Sequence, residues 1–366
     1  MTRPGIENPP INVGILGAGN IGSEVFRQLL SDSLHPENIH VARVAVAHPT
    51  PERRCAFPGL TGDAKEVVQD PNIHIIVELM GGVKPAGALL YSAIEHGKSV
   101  VSANKAVLAR ELTGLSAAAA NAGVDLKVEG AVAGGAPVIR TLAGAVRHGE
   151  DIHRIGGVLN GTTQFILSQI EEGRSYEEAL AIAQAKGFAE TDPTLDVSGQ
   201  DTRDKLAILA SLAFDVPVPL AKIPYNGITE ITPDDLVAAK DYGTGYSVKL
   251  LGIAEMQKDG VALGVHPALV SKNHPLALVH NEESGVFWHG DNTREEYIKA
   301  EGAGSKPTAS AVVEDIIDVA RNIRSGRFDE LPSLNGGVVF NAYGSSGQYS
   351  IIELNGKPFY LFDGIQ

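Results

Sequence analysis

Between Gly187 and Phe214 the chain reads GFAETDPTLDVSGQDTRDKLAILASLAF, and carboxylates crowd the approach to one lysine. Glu190, Asp192 and Asp196 fall in a proline-containing loop, and Asp201 and Lys205 follow four residues apart where a helix begins. At that spacing two side chains share one helix face and can pair. The same stripe continues through Leu209 and Leu212, so Lys205 stands at the edge of an inward-facing surface. An ammonium there needs a partner or a substrate. Acids beside a lysine suit a small zwitterion: the acids receive its ammonium, and the lysine donates a proton to an aldehyde oxygen during hydride transfer. A capped helix with one stabilising ion pair is the plainer alternative. LNGTTQ adds Asn160, Gly161 and Thr162 where a strand meets a helix, which offers amides and hydroxyls to a polar ligand or an ordinary helix cap.

A hydride donor has its own signature upstream. GAGNIG, from Gly17 to Gly22, follows an apolar strand and opens a helix, so Gly17, Gly19, Asn20, Ile21 and Gly22 can bring backbone close to a pyrophosphate at the helix N-terminus. The acidic residue that would hold a ribose 2′-hydroxyl after the second strand is missing, because the chain reads Val46, Ala47, His48, Pro49. Arg53 and Arg54 follow, and guanidinium in place of carboxylate favours a 2′-phosphate, hence NADP over NAD. SANKAVLA sets Asn104 and Lys105 just after another apolar strand, at the carboxyl edge of the sheet where ligands of such folds bind. A lysine there can donate to an oxygen on which negative charge develops, or be a solvated surface residue.

These residues need a frame, and the chain supplies one. From Ile11 short apolar runs alternate with helical patterns through INVGIL, VARVAVA, IHIIVEL and KSVVSA. Runs such as Ile75, Ile76 and Val77, apolar on both faces, are those of parallel strands covered by helices on either side. The first part of the chain thus reads as α/β, a doubly wound Rossmann-type parallel sheet. After VDLKVEG the pattern changes. Ser175 with Glu178 has the spacing of a capping box, and YSVKLLGIAEMQ, Lys258-Asp259-Gly260 and VALGVHPALV describe an antiparallel pair, so a second, α+β domain follows. We expect residues 1–135 to form the dinucleotide-binding domain, completed by about 305–366 returning to it, and residues 136–304 the substrate domain. AVVEDIIDVA supplies a helix able to pack back on the first domain, and Asn355-Gly356 signals a hairpin in the tail.

Composition narrows the function. The 366 residues are 43% apolar and carry a net charge of −14 with both signs interleaved, which disfavours nucleic acid and anionic membranes as partners. No apolar run is long enough for a membrane helix and MTRPGIENPP lacks a secretory pattern, so a cytoplasmic enzyme is expected. Cys55, the only cysteine, excludes an internal disulfide or a cysteine cage for zinc, and the eleven histidines form no metal-ligand pair at helical spacing.

Taken in order, GAGNIG, VELMGG, VVSANK, EGAVAGGAPVI, GVLNGTTQFIL, AQAKGFAETDPTLDVSGQDTRDKLAILA and EGAGSKPTASAVVEDI resemble homoserine dehydrogenase over roughly residues 11 to 322. The resemblance implies NAD(P)H-dependent reduction of L-aspartate 4-semialdehyde to L-homoserine, a step toward threonine and methionine, by a homodimer whose second domain also serves dimerisation. It implies that Lys205 and Lys105 are catalytic, with Lys205 the better proton donor and Asp201 beside it. Glu190 would bind the substrate's amino group, and Thr162, Asp192 and Asp196 would line its pocket. Asn104 and Lys105, with the late turn Gly302, Ala303 and Gly304, would lie near the cofactor. Glu129, Val132, Gly134 and Ala136 would hold a sodium ion largely through main-chain oxygens. Two departures, Phe188 where the family usually has tyrosine and Gln164 where asparagine is usual, bear on substrate fit. GGAP also replaces the commoner GGIP. They leave room for a dehydrogenase of another small amino-acid aldehyde or hydroxy acid, and a nucleotide-binding sensor without catalysis is the rival from outside enzymes. The stretch after Asn322 is short for a regulatory amino-acid-binding domain, so threonine inhibition is not expected.

Overall fold

In the computed structural model, which describes residues 9–31, 38–243, 245–302, 304–343 and 350–362, the chain forms two units. The first, Met1–Ala131 with Ser305–Ser333, carries the βαβ rhythm. Its elements are β1 (Ile11–Leu16), α1 (Asn20–Leu29), β2 (Ile39–Ala45), α2 (Pro51–Ala56), β3 (Leu60–Thr61) and α3 (Ala64–Gln69), then β4 (Ile75–Glu78), α4 (Ala86–Glu95), β5 (Ser99–Ser102), α5 (Lys105–Ala122) and β6 (Leu126–Lys127). All strands pair in parallel in the order β3-β2-β1-β4-β5-β6. The order reverses between β1 and β4, and ligands of open α/β sheets bind outside the strand ends at such a switch point. Val13, Ile15, Ile75, Val77 and Val101 are buried there, as strands apolar on both faces require.

The second unit, Val132–Gly304 with Leu334–Gln366, contains α6 (Val138–Arg147), β7 (Ile152–Val158), α7 (Gly161–Glu171), α8 (Tyr176–Ala185), α9 (Thr194–Val197) and α10 (Gln200–Phe214). These lead to α11 (Pro233–Asp241), β8 (Tyr246–Gln257), β9 (Gly260–Ser271), β10 (Glu283–Gly290) and β11 (Arg294–Glu301). The expected antiparallel pair is the β8–β9 hairpin, with Gln257 opposite Gly260 across Lys258-Asp259. The Ser175–Glu178 capping box opens α8, and Gly187 leaves it at φ 77°. Helix α10 packs on β7 and β8 so closely that a Cβ on Gly252 would meet Leu159 at 3.1 Å and Thr202 at 3.2 Å.

From there α12 (Ser305–Ser325) returns to the first unit and buries Ala309, Val312, Ile316 and Val319 in the core of β1 and β4. The rest of the tail corrects the expectation that 305–366 would all do so. Its strands β12 (Phe340–Ala342), β13 (Ile351–Leu354) and β14 (Lys357–Phe362) join the second sheet, ordered β11-β10-β7-β8-β9-β14-β13 with β12 also on β9. The reason lies in β9, whose outer edge would otherwise expose unpaired backbone. β12 and β14 both pair in parallel with it, and Phe359 and Phe362 are buried in doing so. The Asn355-Gly356 hairpin forms as expected, both residues at positive φ (52° and 75°). No helix among the described residues is long and apolar enough to cross a membrane.

Candidate active site

Strand β7 ends beneath the first turn of α10, and the junction draws four polar side chains together. Asn160 caps α7: its Oδ1 accepts the Thr163 backbone N–H at 2.7 Å. Its Nδ2 donates to Asp196 Oδ1 at 2.7 Å and to Asp201 Oδ2 at 2.8 Å. The same Asp201 oxygen lies 2.8 Å from Lys205 Nζ, which also donates to the Leu159 carbonyl at 2.7 Å. Asp201 and Lys205 are one turn apart on α10, as their spacing requires, and Asp201 in the first turn meets the positive end of the helix dipole. The pair is removed from water, its side chains only 4% and 11% exposed. Buried pairs gain little net stability because desolvation offsets attraction, so stability alone does not account for this one.

The acidic loop is organised around that pair. Thr162, at the start of α7, donates through Oγ1 to the Phe188 carbonyl at 2.7 Å and so ties the loop to the helix. Asp192 Oδ1 accepts from Thr194 N (3.1 Å) and Oγ1 (2.6 Å), which starts α9 and holds its carboxyl below the usual range. Glu190 is exposed, with its carbonyl bonded to Gln184 Nε2 at 3.1 Å. Asn160, Asp196, Asp201 and Lys205 are thus joined directly, while Glu190 and Asp192 stand at the surface of the same loop. The two departures lie in packing. The Phe188 ring packs tilted against Phe165, centroids 5.0 Å apart, and Gln164 is fully buried with Nε2 on Ser168 Oγ at 3.0 Å.

In the first unit the glycine string lines a cleft of about 540 Å³. Gly17 sits at φ 100°, and a Cβ there would lie 2.7 Å from the Leu79 carbonyl. A Cβ on Gly22 would lie 2.1 Å from the Gly17 carbonyl, whereas one on Gly19 would meet nothing within 4 Å, which leaves ligand room over the turn. Asn20 opens α1 at the surface, and Ile21 packs against the core. Val46, Ala47 and Arg53 line the cleft together. Arg54 does not; its guanidinium donates to the Leu60 carbonyl at 3.1 Å. Lys65, in the first turn of α3, also lines the cleft and escaped the sequence reading, although a basic residue just past the Asp63 cap was a visible signal. The anion-friendly turn and these two cations fit the phosphates of a dinucleotide.

Lys105 begins α5, and Asn104 caps it by accepting the Val107 N–H at 3.4 Å. In the second unit Gly302 and Gly304 flank Ala303, which lies outside the described residues. Gly304 has φ 125°, and a Cβ on Gly302 would collide with Ser284 Oγ at 1.9 Å. Glu129 opens a short 3-10 turn and its N–H donates to Asp315 Oδ2 at 2.9 Å. Val132 and Ala136 are buried, and Ala133 and Gly134 are both left-handed (φ 57° and 61°). No group of three His, Cys, Asp or Glu side chains among the described residues could hold a metal ion, so a cation here would depend on main-chain oxygens.

Comparison with known proteins finds matches to both parts of the chain. Residues 137–317 match the family model described as homoserine dehydrogenase, and residues 17–129 match the one described as homoserine dehydrogenase, NAD binding domain. The chain is 39% identical to a homoserine dehydrogenase of Pseudomonas aeruginosa over 334 residues, covering 89% of this chain and 76% of that protein. It is 39% identical to one of Bacillus subtilis over 324 residues, covering 86% and 74%. The crystal structure of a homoserine dehydrogenase from Thiobacillus denitrificans superposes with a TM-score of 0.84 at 35% identity, over 91% of this chain and 80% of that one.

Proposed function

This chain belongs to the homoserine dehydrogenase family, oxidoreductases of amino-acid biosynthesis that interconvert L-aspartate 4-semialdehyde and L-homoserine with a nicotinamide cofactor, and we propose that Lys205 is its proton donor and NADP its preferred coenzyme. The observation that carries this reading is the Asp201–Lys205 pair, buried yet joined through Asn160 to Asp196 of the acidic loop.

When bound, the nicotinamide supplies the hydride in the reducing direction. Lys205 holds the proton at Nζ, from which it passes to the substrate oxygen as that oxygen gains negative charge. Asp201 Oδ2, 2.8 Å away, fixes the direction of that ammonium. Asn160 steadies Asp201 in turn. We assign Glu190 to the substrate's amino group, and Thr162, Asp192 and Asp196 to its other polar atoms. Lys105 is assigned to charge stabilisation.

For the coenzyme, Gly17, Gly19, Asn20, Ile21 and Gly22 receive the pyrophosphate, and Arg53, aided by Lys65, receives the 2′-phosphate. The apolar Val46 and Ala47, in place of an acid, support that preference. Asn104, Lys105, Gly302 and Gly304 complete the proposed cofactor contacts. Arg54, committed to Leu60, is better read as bracing the loop. The successive left-handed residues Ala133 and Gly134 support sodium held by main-chain oxygens of the 129–136 loop. A cytoplasmic homodimer is the assembly we propose, and analytical ultracentrifugation tests its dimeric part. Initial rates of homoserine oxidation with NADP and NAD side by side, with and without sodium, test the coenzyme and cation together: faster turnover with NAD would overturn the first, and indifference to sodium the second.

A further inference from the structure

Beneath the turn that carries Lys105 lies a carboxylate to which the chemistry above gives no part. Glu78, the last residue of β4, is fully buried beside strands β1 and β5, opposite Leu16 and Ser102. The run Ile75-Ile76-Val77 calls for another apolar residue there, and an acid deep in a parallel sheet is costly unless its oxygens are satisfied. They are, by neutral donors from the turn after β4, the end of β5 and the turn that follows it. Oε1 accepts the Met80 N–H at 2.8 Å and Asn104 Nδ2 at 3.2 Å, and Oε2 accepts the Ser102 hydroxyl at 2.9 Å. Asn104 Nδ2 also donates to the Gly82 carbonyl at 2.7 Å, and the Asn104 N–H donates to Ser102 Oγ at 3.1 Å.

One side chain therefore locks the turn after β4, where Met80 lines the coenzyme cleft, to the Asn104 cap that starts α5 at Lys105. We propose that Glu78 is a positioning residue that fixes the Lys105 turn relative to the coenzyme cleft. The proposal rests on the reading that Lys105 serves the reaction. A mispositioning of about 1 Å in such a constellation costs up to about 100-fold in rate without a new contact being lost at the substrate.

Asp125 gives a control for burial alone. It is equally buried, but it precedes β6 at the opposite edge of the same sheet, where it accepts from Asn322 Nδ2 at 2.8 Å and the Asp329 N–H at 2.9 Å. The experiment compares Glu78→Ala, Glu78→Gln, Ser102→Ala, Lys105→Ala and Asp125→Asn by kcat and KM for homoserine oxidation and by melting temperature. Glu78→Ala should lower kcat by about 10- to 100-fold with homoserine KM changed less than about threefold. Glu78→Gln should recover most of that loss, because its carbonyl oxygen can serve Met80 and Asn104 while its amide donates to Ser102. Asp125→Asn should lower the melting temperature but keep kcat within about threefold of the parent. If Glu78→Ala does not fold, Ser102→Ala decides, with a loss of about three- to tenfold in kcat expected. Loss of kcat in Lys105→Ala with none in the Glu78 and Ser102 variants overturns the positioning role alone. Loss in Asp125→Asn as large as in Glu78→Ala overturns it too, by reducing it to burial. No loss in Lys105→Ala overturns the reading of Lys105 itself.

Discussion

Lys205 Nζ stands 2.8 Å from Asp201 Oδ2, and that same oxygen accepts Asn160 from the cap of α7. Lys205, the proposed proton donor, and the helix that borders the acidic loop are therefore held by a single carboxylate oxygen. Asp201→Asn keeps the shape and removes the charge, so it should lower kcat by about 10- to 100-fold while the protein stays folded. Asp201→Ala should also lose roughly 3 kcal/mol of stability, because it strands a buried ammonium. Steady-state rates and urea denaturation read the two effects separately, and an unchanged kcat in Asp201→Asn would remove Asp201 from the mechanism.

The proposed preference for NADP hangs on Arg53. It lines the cleft beside Val46 and Ala47, where an acid would repel a 2′-phosphate. Arg53→Ala should weaken NADPH binding by about 10- to 100-fold, the worth of a hydrogen bond to a charged group, and leave NADH within about twofold. Fluorescence titration with both coenzymes checks this. Equal losses for the two would mean that the residue shapes the cleft without reading the phosphate.

Two glycines should respond oppositely to the same methyl group. A Cβ on Gly22 would lie 2.1 Å from the Gly17 carbonyl, so Gly22→Ala must open the turn and should weaken coenzyme binding at least about tenfold. Gly144, inside α6, has nothing within 4 Å of its Cβ, and Gly144→Ala should raise stability by about 1 kcal/mol with binding unchanged. Melting curves and titrations of both variants make the comparison.

Acid should loosen the protein through two histidines of the second unit. Burial lowers His266 to about 4 and, with help from Arg154, His274 to about 4. Both stay neutral in the fold while the unfolded chain takes up protons near 6.5. Stability therefore falls as pH drops from 6.5 toward 4 and is insensitive to these groups above that window, with roughly 3 kcal/mol at stake for each. His266→Gln should flatten that slope by about a third to a half, as seen in denaturation midpoints at pH 7 and pH 5. An unaltered slope would show that His266 does not titrate as its burial demands.

What the sequence made legible was local. Asp201 and Lys205 declare their pairing through helical spacing, Ser175 and Glu178 their capping box, and Asn355-Gly356 its hairpin. Contacts between distant segments were not legible: nothing in LNGTTQ says that Asn160 reaches Asp196 and Asp201 across the loop. The tail failed for the same reason. Its hairpin could be read, but the partner of β14 is β9, and strand pairing at that separation leaves no mark in either segment's own pattern. Glu78 was hidden by its neighbours, since IIVEL reads as an apolar strand unless its final acid is asked for a partner. Lys65 lay in a short helix whose approach to the cleft is set by the turn after β3, not by its own periodicity.

The most direct test of the account is a single-turnover measurement of homoserine oxidation in Lys205→Ala, with NADPH affinity determined on the same preparation. The account predicts hydride transfer slower by about 1000-fold or more with affinity changed less than about twofold, the pattern of a group that acts on the reacting oxygen alone. Transfer at the parent rate, or a loss of affinity as large as the loss of rate, would contradict it.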